Sequence, residues 1–312
     1  MKAKTIKAVI KKKMVDWVES IEDENVKKLV KKNTIVTGGC IASMLLKEKV
    51  NDYDIYFRDK ETVKAVTQYY IDRFKIKKKN GIETPIVMVE EEDRISIKIQ
   101  SSGIASEEGT KQNYEYFESR PEEEAGSYVG EVMQNIGDIE EQYEKSEEES
   151  LEVENKEGKD KYRPVFMSTN AITLSGKIQI VIRFYGEPDK IHENYDFVHC
   201  TNYWDSGKLV LKQPALEALL ARELKYVGSK YPLCSIIRMR KFIKRGWSIT
   251  AGQILKMAMQ LNELDLKNIA TLREQLTGVD VAYFQQVLHL LEAKNTEKVD
   301  TTYLLEIIDR MF

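Results

Sequence analysis

The pair Gly38-Gly39 followed by Asp52-Tyr53-Asp54 constrains this chain more than any other stretch. Thr34-Ile35-Val36-Thr37 is a β-branched run that reads as a strand, and the two glycines after it read as a turn. Residues 40–46 then read as a short helix, and Asp54-Ile55-Tyr56-Phe57 as the neighbouring strand. Side chains alternate along a strand, so Asp52 and Asp54 point the same way and can share metal ions. Paired glycines let the main chain approach a phosphate closely, at a helix start that offers unpaired N–H groups. A phosphate cradle beside two carboxylates is what nucleotidyl transfer requires.

A chain of 312 residues is expected to form two packed units. No long apolar run and no basic start leading into an apolar stretch is present, so neither a membrane span nor a secretory leader is expected. Cys40, Cys200 and Cys234 are far apart and match no zinc or redox spacing, which implies free thiols in a reducing, cytoplasmic setting. His192, His199 and His289 form no ligand pattern. The net charge of −3 hides an asymmetry: residues 107–160 hold 19 acidic against 5 basic side chains, a local charge of −14, so the remainder carries +11. A positive body suits polyanionic partners.

The first thirty residues read as helical, with Ile6, Val9, Ile10, Met14, Trp17 and Val18 at helical spacing and lysines between them. Such a basic amphipathic helix can touch nucleic acid or a membrane, but packing against a core is the commoner use. Residues 61–74 read as a second helical stretch, and 85–89 with 94–100 as a hairpin. Residues 106–161 lose periodicity and are read as an acidic, disordered or loosely ordered insertion. Ala171 to Leu174 and Ile178 to Phe184 form a second hairpin around Ser175-Gly176-Lys177, and Phe197 to Thr201 is read as one more strand. After Pro214 only helical spacing remains. The expected fold class is α+β: an N-terminal helical segment (1–32), a mixed-sheet head (33–210) interrupted by the insertion, and an all-helical domain (211–312).

These residues resemble the nucleotidyltransferases that include CCA-adding enzymes and bacterial poly(A) polymerases, within the polymerase-β superfamily. Gly38-Gly39, Leu45-Leu46 and Asp52-Tyr53-Asp54 fit the family's head pattern, with thirteen positions from the second glycine to the first aspartate. Tyr195-Asp196-Phe197-Val198 is similar to the family's Arg-Asp-Phe-Thr. Leu224 to Gly228, and Ile236-Ile237-Arg238 through Phe242 to Gly246-Trp247, look like the start of its helical neck. The resemblance spans roughly residues 34–250. The chain departs from the pattern where Ala42-Ser43 replaces Arg-Asp, where Gln179 stands in place of an acidic residue, and where Asn194-Tyr195 lacks an arginine.

The resemblance implies transfer of NMP from an NTP (ATP or CTP) to the 3′ end of an RNA, with two Mg2+ ions bridging Asp52, Asp54 and the nucleotide phosphates. Gly38 and Gly39 would hold the triphosphate and Ser43 would add a hydroxyl. Asp196 is the expected third carboxylate, with a residue of Glu91-Glu92-Asp93 as fallback; a turn cap is the competing role for Asp196. Arg238 and Lys241, three apart on one helix, are candidate contacts to triphosphate or base, and Arg183 is a further phosphate candidate. Lys75, Lys77, Lys78 and Lys79 form a basic loop able to guide an RNA backbone. Two other readings remain: transfer to a protein or small molecule, and a catalytically silent nucleotide- or RNA-binding module.

Overall fold

The computed structural model describes residues 1–77, 86–92, 94–101, 112–114, 116–118, 161–276 and 305. The chain divides into two compact units, Met1–Pro188 with Tyr203–Leu209, and Asp189–Asn202 with Val210–Phe312.

The first unit begins with α1 (Ala3–Glu19) and α2 (Glu24–Asn33). Ile6, Ile10, Met14, Trp17 and Val18 of α1 are buried, and the Trp17 indole N–H donates to Tyr70 at 2.8 Å. Asp23 starts α2 by accepting from the N–H groups of Asn25 and Val26, two donors that a helix start otherwise leaves unpaired. β1 (Thr34–Thr37), α3 (Gly39–Leu46), β2 (Tyr53–Phe57) and α4 (Lys60–Lys77) follow, then the antiparallel pair β3 (Ile86–Glu90) and β4 (Ile95–Ser101). Next come β5 (Gln112–Tyr114), β6 (Tyr116–Glu118), β7 (Pro164–Ser168), β8 (Ala171–Leu174) and β9 (Ile178–Tyr185). After α5 (Pro188–His192), the chain returns with β10 (Tyr203–Asp205) and β11 (Lys208–Val210).

Eight strands form one mixed sheet in the order β11-β10-β1-β2-β9-β8-β7-β6. β1 and β2 are antiparallel, whereas β2 and β9 run parallel. Ile35, Val36, Ile55, Phe57, Ile172, Ile180 and Ile182 are fully buried in it. Gly176 and Lys177 both adopt positive φ in the three-residue loop, residues 175–177, that joins β8 to β9. The strands β5 and β6 lie inside the stretch read as a disordered or loosely ordered insertion: β5 pairs with β4, and β6 with β7. Apart from Lys161, the rest of that insertion lies outside the described residues, as do Lys78 and Lys79 of the four lysines read as a loop; Lys75 and Lys77 belong instead to the helix α4.

The second unit holds α5, α6 (Gln213–Ala221), α7 (Pro232–Lys244), α8 (Ala251–Asn262) and α9 (Ile269–Leu276). Among the described residues after Gln213 it is helical, as expected, except for the two-residue strands β12 (Glu223–Leu224) and β13 (Ser248–Ile249), which pair in parallel. Two expectations change here. Residues 189–202 belong to this unit rather than to the head, because Val227 donates its N–H to the Asp196 carbonyl at 2.9 Å and Val198 donates to Lys225 at 3.0 Å. Phe197 to Thr201 is no strand: Val198–Cys200 is a 3-10 turn closed by Thr201 donating to the Val198 carbonyl. That turn packs His199 against Phe242 and Trp247, at ring-centroid distances of 4.6 and 4.4 Å, which an extended backbone would not do.

Candidate functional site

The Gly-Gly turn sits at the end of β1, where Gly38 caps α3 with φ 93° and ψ −151°. This is a region that side-chain-bearing residues rarely occupy. A Cβ on Gly38 would lie 2.6 Å from Asp54 Oδ2, so only glycine lets the turn close on that carboxylate. Gly39 is different: a Cβ there meets nothing within 4 Å, and its side of the α3 start is open. Open space, first-turn N–H groups and an adjacent carboxylate form a place where a phosphate and a cation can sit together.

Asp54 lies in the middle of a row across the sheet. Its register partners are Thr37 on β1 and Gln179 on β9, and Gln179 in turn pairs with Thr173 on β8. Residues opposite one another on paired strands share a face, so Thr37, Asp54 and Gln179 line one surface. Asp52 precedes β2 and is exposed, while Asp54 is half-buried. Between them Tyr53 is buried, with the Lys13 ammonium 5.6 Å from its ring centroid and 5.2 Å from that of Tyr162. Burial, and next the nearby Cys40, pushes the Tyr53 hydroxyl pKa up. The donors on this face are carboxylate, amide and hydroxyl oxygens, a hard set that suits magnesium.

The other expected site residues are placed as follows. Ser43 is half-buried on α3. Asp196 is buried in the second unit, where it accepts from Ser235 Oγ at 2.7 Å and forms an ion pair with Arg238. The expected third carboxylate and the expected phosphate contact are therefore bound to each other. Lys241 is exposed on α7. Arg183, read as lying on the polar side of its strand, is buried at 5 % exposure with its guanidinium 5.7 Å from the Phe184 ring. Of the fallback acids, Glu91 forms an ion pair with Arg94 across the β3–β4 turn, which lowers its carboxyl pKa, and Asp93 lies outside the described residues. Among the described residues no group of three or more His, Cys, Asp or Glu side chains is arranged to hold a metal ion. Thr37 and Lys13 were missed as neighbours of the site; the strand register and the α1 packing that reveal them are not local features of the sequence.

Fold and site together define a mixed α/β unit built on an eight-stranded sheet, with a glycine turn closed on a carboxylate, followed in sequence by a helical segment. Solved structures similar to the chain include the Thermotoga maritima CCA-adding enzyme complexed with tRNA, at 13% identity and a TM-score of 0.38, with 84% of this chain and 49% of that one covered. The Bacillus stearothermophilus CCA-adding enzyme in complex with CTP is similar at 11% identity and a TM-score of 0.37, with 83% of this chain and 47% of that one covered. The chain thus spans about half the length of these structures. No curated protein matches it. The chain belongs to the Gad2 family, the Gabija anti-defense 2 family, whose model matches residues 8–222. Among the described residues no helix is long and apolar enough to cross a membrane.

Proposed function

We propose that this chain is a magnesium-dependent nucleotidyltransferase that moves NMP from an NTP, ATP or CTP, to an acceptor hydroxyl, with the 3′ end of an RNA as the acceptor. The observation that carries the reading is the closure of Gly38 onto Asp54, beside the open start of α3 at Gly39. In the reaction, the acceptor oxygen bonds to the α-phosphorus, the bond from that phosphorus to the bridging oxygen breaks, and pyrophosphate leaves. Asp52 and Asp54 would hold magnesium, and Gln179 would offer a neutral oxygen next to them. Bound magnesium would neutralise triphosphate charge and favour ionisation of the acceptor hydroxyl. The first-turn N–H groups of α3 and the Ser43 hydroxyl would orient the triphosphate. Asp196 and Arg238 act in this reading as a brace of the helical unit, since each is the other's partner.

The family's name attributes to its members an action against Gabija defence. We carry that action to this chain, with nucleotidyl transfer as its chemistry. That membership favours a second reading of the acceptor, a protein or small molecule of the defence rather than an RNA end. Incubation with α-labelled ATP or CTP, magnesium, RNA and Gabija proteins separates the two by where the label appears. Asp52→Ala with Asp54→Ala should abolish all labelling. Undiminished labelling by that double variant would remove the site from consideration.

A further inference from the structure

α1 buries Ile6, Ile10, Met14 and Trp17 in the first unit and leaves Val9 and Val15 as its exposed large apolar residues, so little apolar face is left for a bilayer. What it displays is charge. Lys4, Lys7 and Lys11 are exposed and spaced at i, i+3 and i+7, which sets them in a row along one flank of the helix. The row runs into a cleft of about 190 Å³, whose walls include Met14, Val15, Val18, Val30 and Trp204. Lys11 and Lys31 stand at its rim, and Lys208 is exposed next to the lining residue Gly207. The one lining carboxylate, Glu19, is already engaged by Lys27 and Lys31. Val15 is half exposed at 50 % and leaves apolar surface open at the cleft.

We propose that this flank of α1 and its cleft form a docking surface for single-stranded nucleic acid. A row of ammonium groups meets a phosphate backbone, and the mainly apolar cleft beside it accepts an unstacked base. Each nucleotide of a single strand carries one charge and one flat ring, and the flank offers both kinds of contact side by side. An acidic peptide supplies charge only where its sequence does, and no part of the cleft is specific to one. The surface shares no residue with the Gly38–Asp54 site, so binding here does not depend on that site's chemistry.

Fluorescence anisotropy of the full chain with labelled oligouridylate and oligoadenylate tests the proposal. The triple variant Lys4→Gln, Lys7→Gln, Lys11→Gln should bind roughly tenfold or more weakly, with a log–log salt slope smaller by about 2. Val15→Ser should weaken binding while leaving the salt slope unchanged, and thermal unfolding should show both variants folded. Asp52→Ala with Asp54→Ala should bind as the parent does. Parent-like affinity of the triple variant overturns the proposal. So does loss of binding in the aspartate double variant, which would assign the nucleic acid to the carboxylate site. Displacement of the oligonucleotide by polyglutamate as readily as by unlabelled strand, or binding of anionic phosphatidylserine vesicles without oligonucleotide binding, overturns it as well.

Discussion

Gly38 and Asp54 are packed so closely that a single added carbon on Gly38 would sit 2.6 Å from the Asp54 carboxylate oxygen. Gly39, its neighbour, has no such constraint. The two glycines therefore have separable jobs, and substitution tells them apart. Gly38→Ala should cost about 1–3 kcal/mol of stability, from both the contact and the positive φ, and should abolish activity by displacing Asp54. Gly39→Ala should fold as well as the parent or better, yet raise the KM for NTP, because its methyl group enters the space assigned to the triphosphate. Denaturant unfolding and steady-state kinetics on both variants check this.

Gln179 faces Asp54 across the β2–β9 register, leaving a neutral amide where a third carboxylate would add charge. Gln179→Glu should tighten Mn2+ binding about tenfold or more, measured by electron paramagnetic resonance without nucleotide. Unchanged affinity would show that this side chain does not face the ion.

Asp196 is held by Ser235 and Arg238 inside the helical unit. Asp196→Ala should lower stability by about 2 kcal/mol through loss of charged hydrogen bonds. At a temperature where the variant is folded, magnesium dependence should match the parent's. A metal ligand would behave in the opposite way, with little loss of stability and a large rise in the magnesium requirement.

His192 and His199 both have pKa values lowered from 6.5 to about 4, chiefly by burial. The unfolded chain takes up protons at these sites near pH 6.5, while the folded chain stays neutral until about pH 4. Their contribution is therefore intact above pH 6.5, falls between pH 6.5 and 4, and is fully lost below that. Urea unfolding across this range should show stability dropping as the medium is acidified.

Among the described residues, neither ring nitrogen of His199 has a hydrogen-bond partner, and the ring is enclosed by Phe197, Phe242 and Trp247. His199→Phe should raise stability by about 1–3 kcal/mol, by removing unsatisfied buried nitrogens, and should flatten part of the acid dependence. A lower melting temperature for this variant would contradict the packing argument.

Local chemistry made much of the head legible. The β-branched run before Gly38, the alternation along 178–184 and the Gly176 hairpin are short-range signals, and each became the element expected. The segment 189–202 was not legible in the same way. Its β-forming residues Phe197 and Val198 favour extension locally, but aromatic packing around His199 and the hydrogen bonds to Lys225 and Val227 bend it into the helical unit. Arg183 misled for a related reason: alternation along a strand predicts which side a residue takes, not whether that side reaches water.

The sequence by itself determined the strand, the glycine turn, the helix and the two aspartates, because each follows from residue type over a few positions. Only the tertiary structure decided which groups meet. The parallel pairing of β2 with β9 sets Gln179 opposite Asp54, more than a hundred residues away in the chain. The fold of the helical unit closes Asp196 onto Arg238 and Ser235. Both depend on strand register and helix packing, which arise from burial summed over a whole unit and have no signature at the residues they bring together.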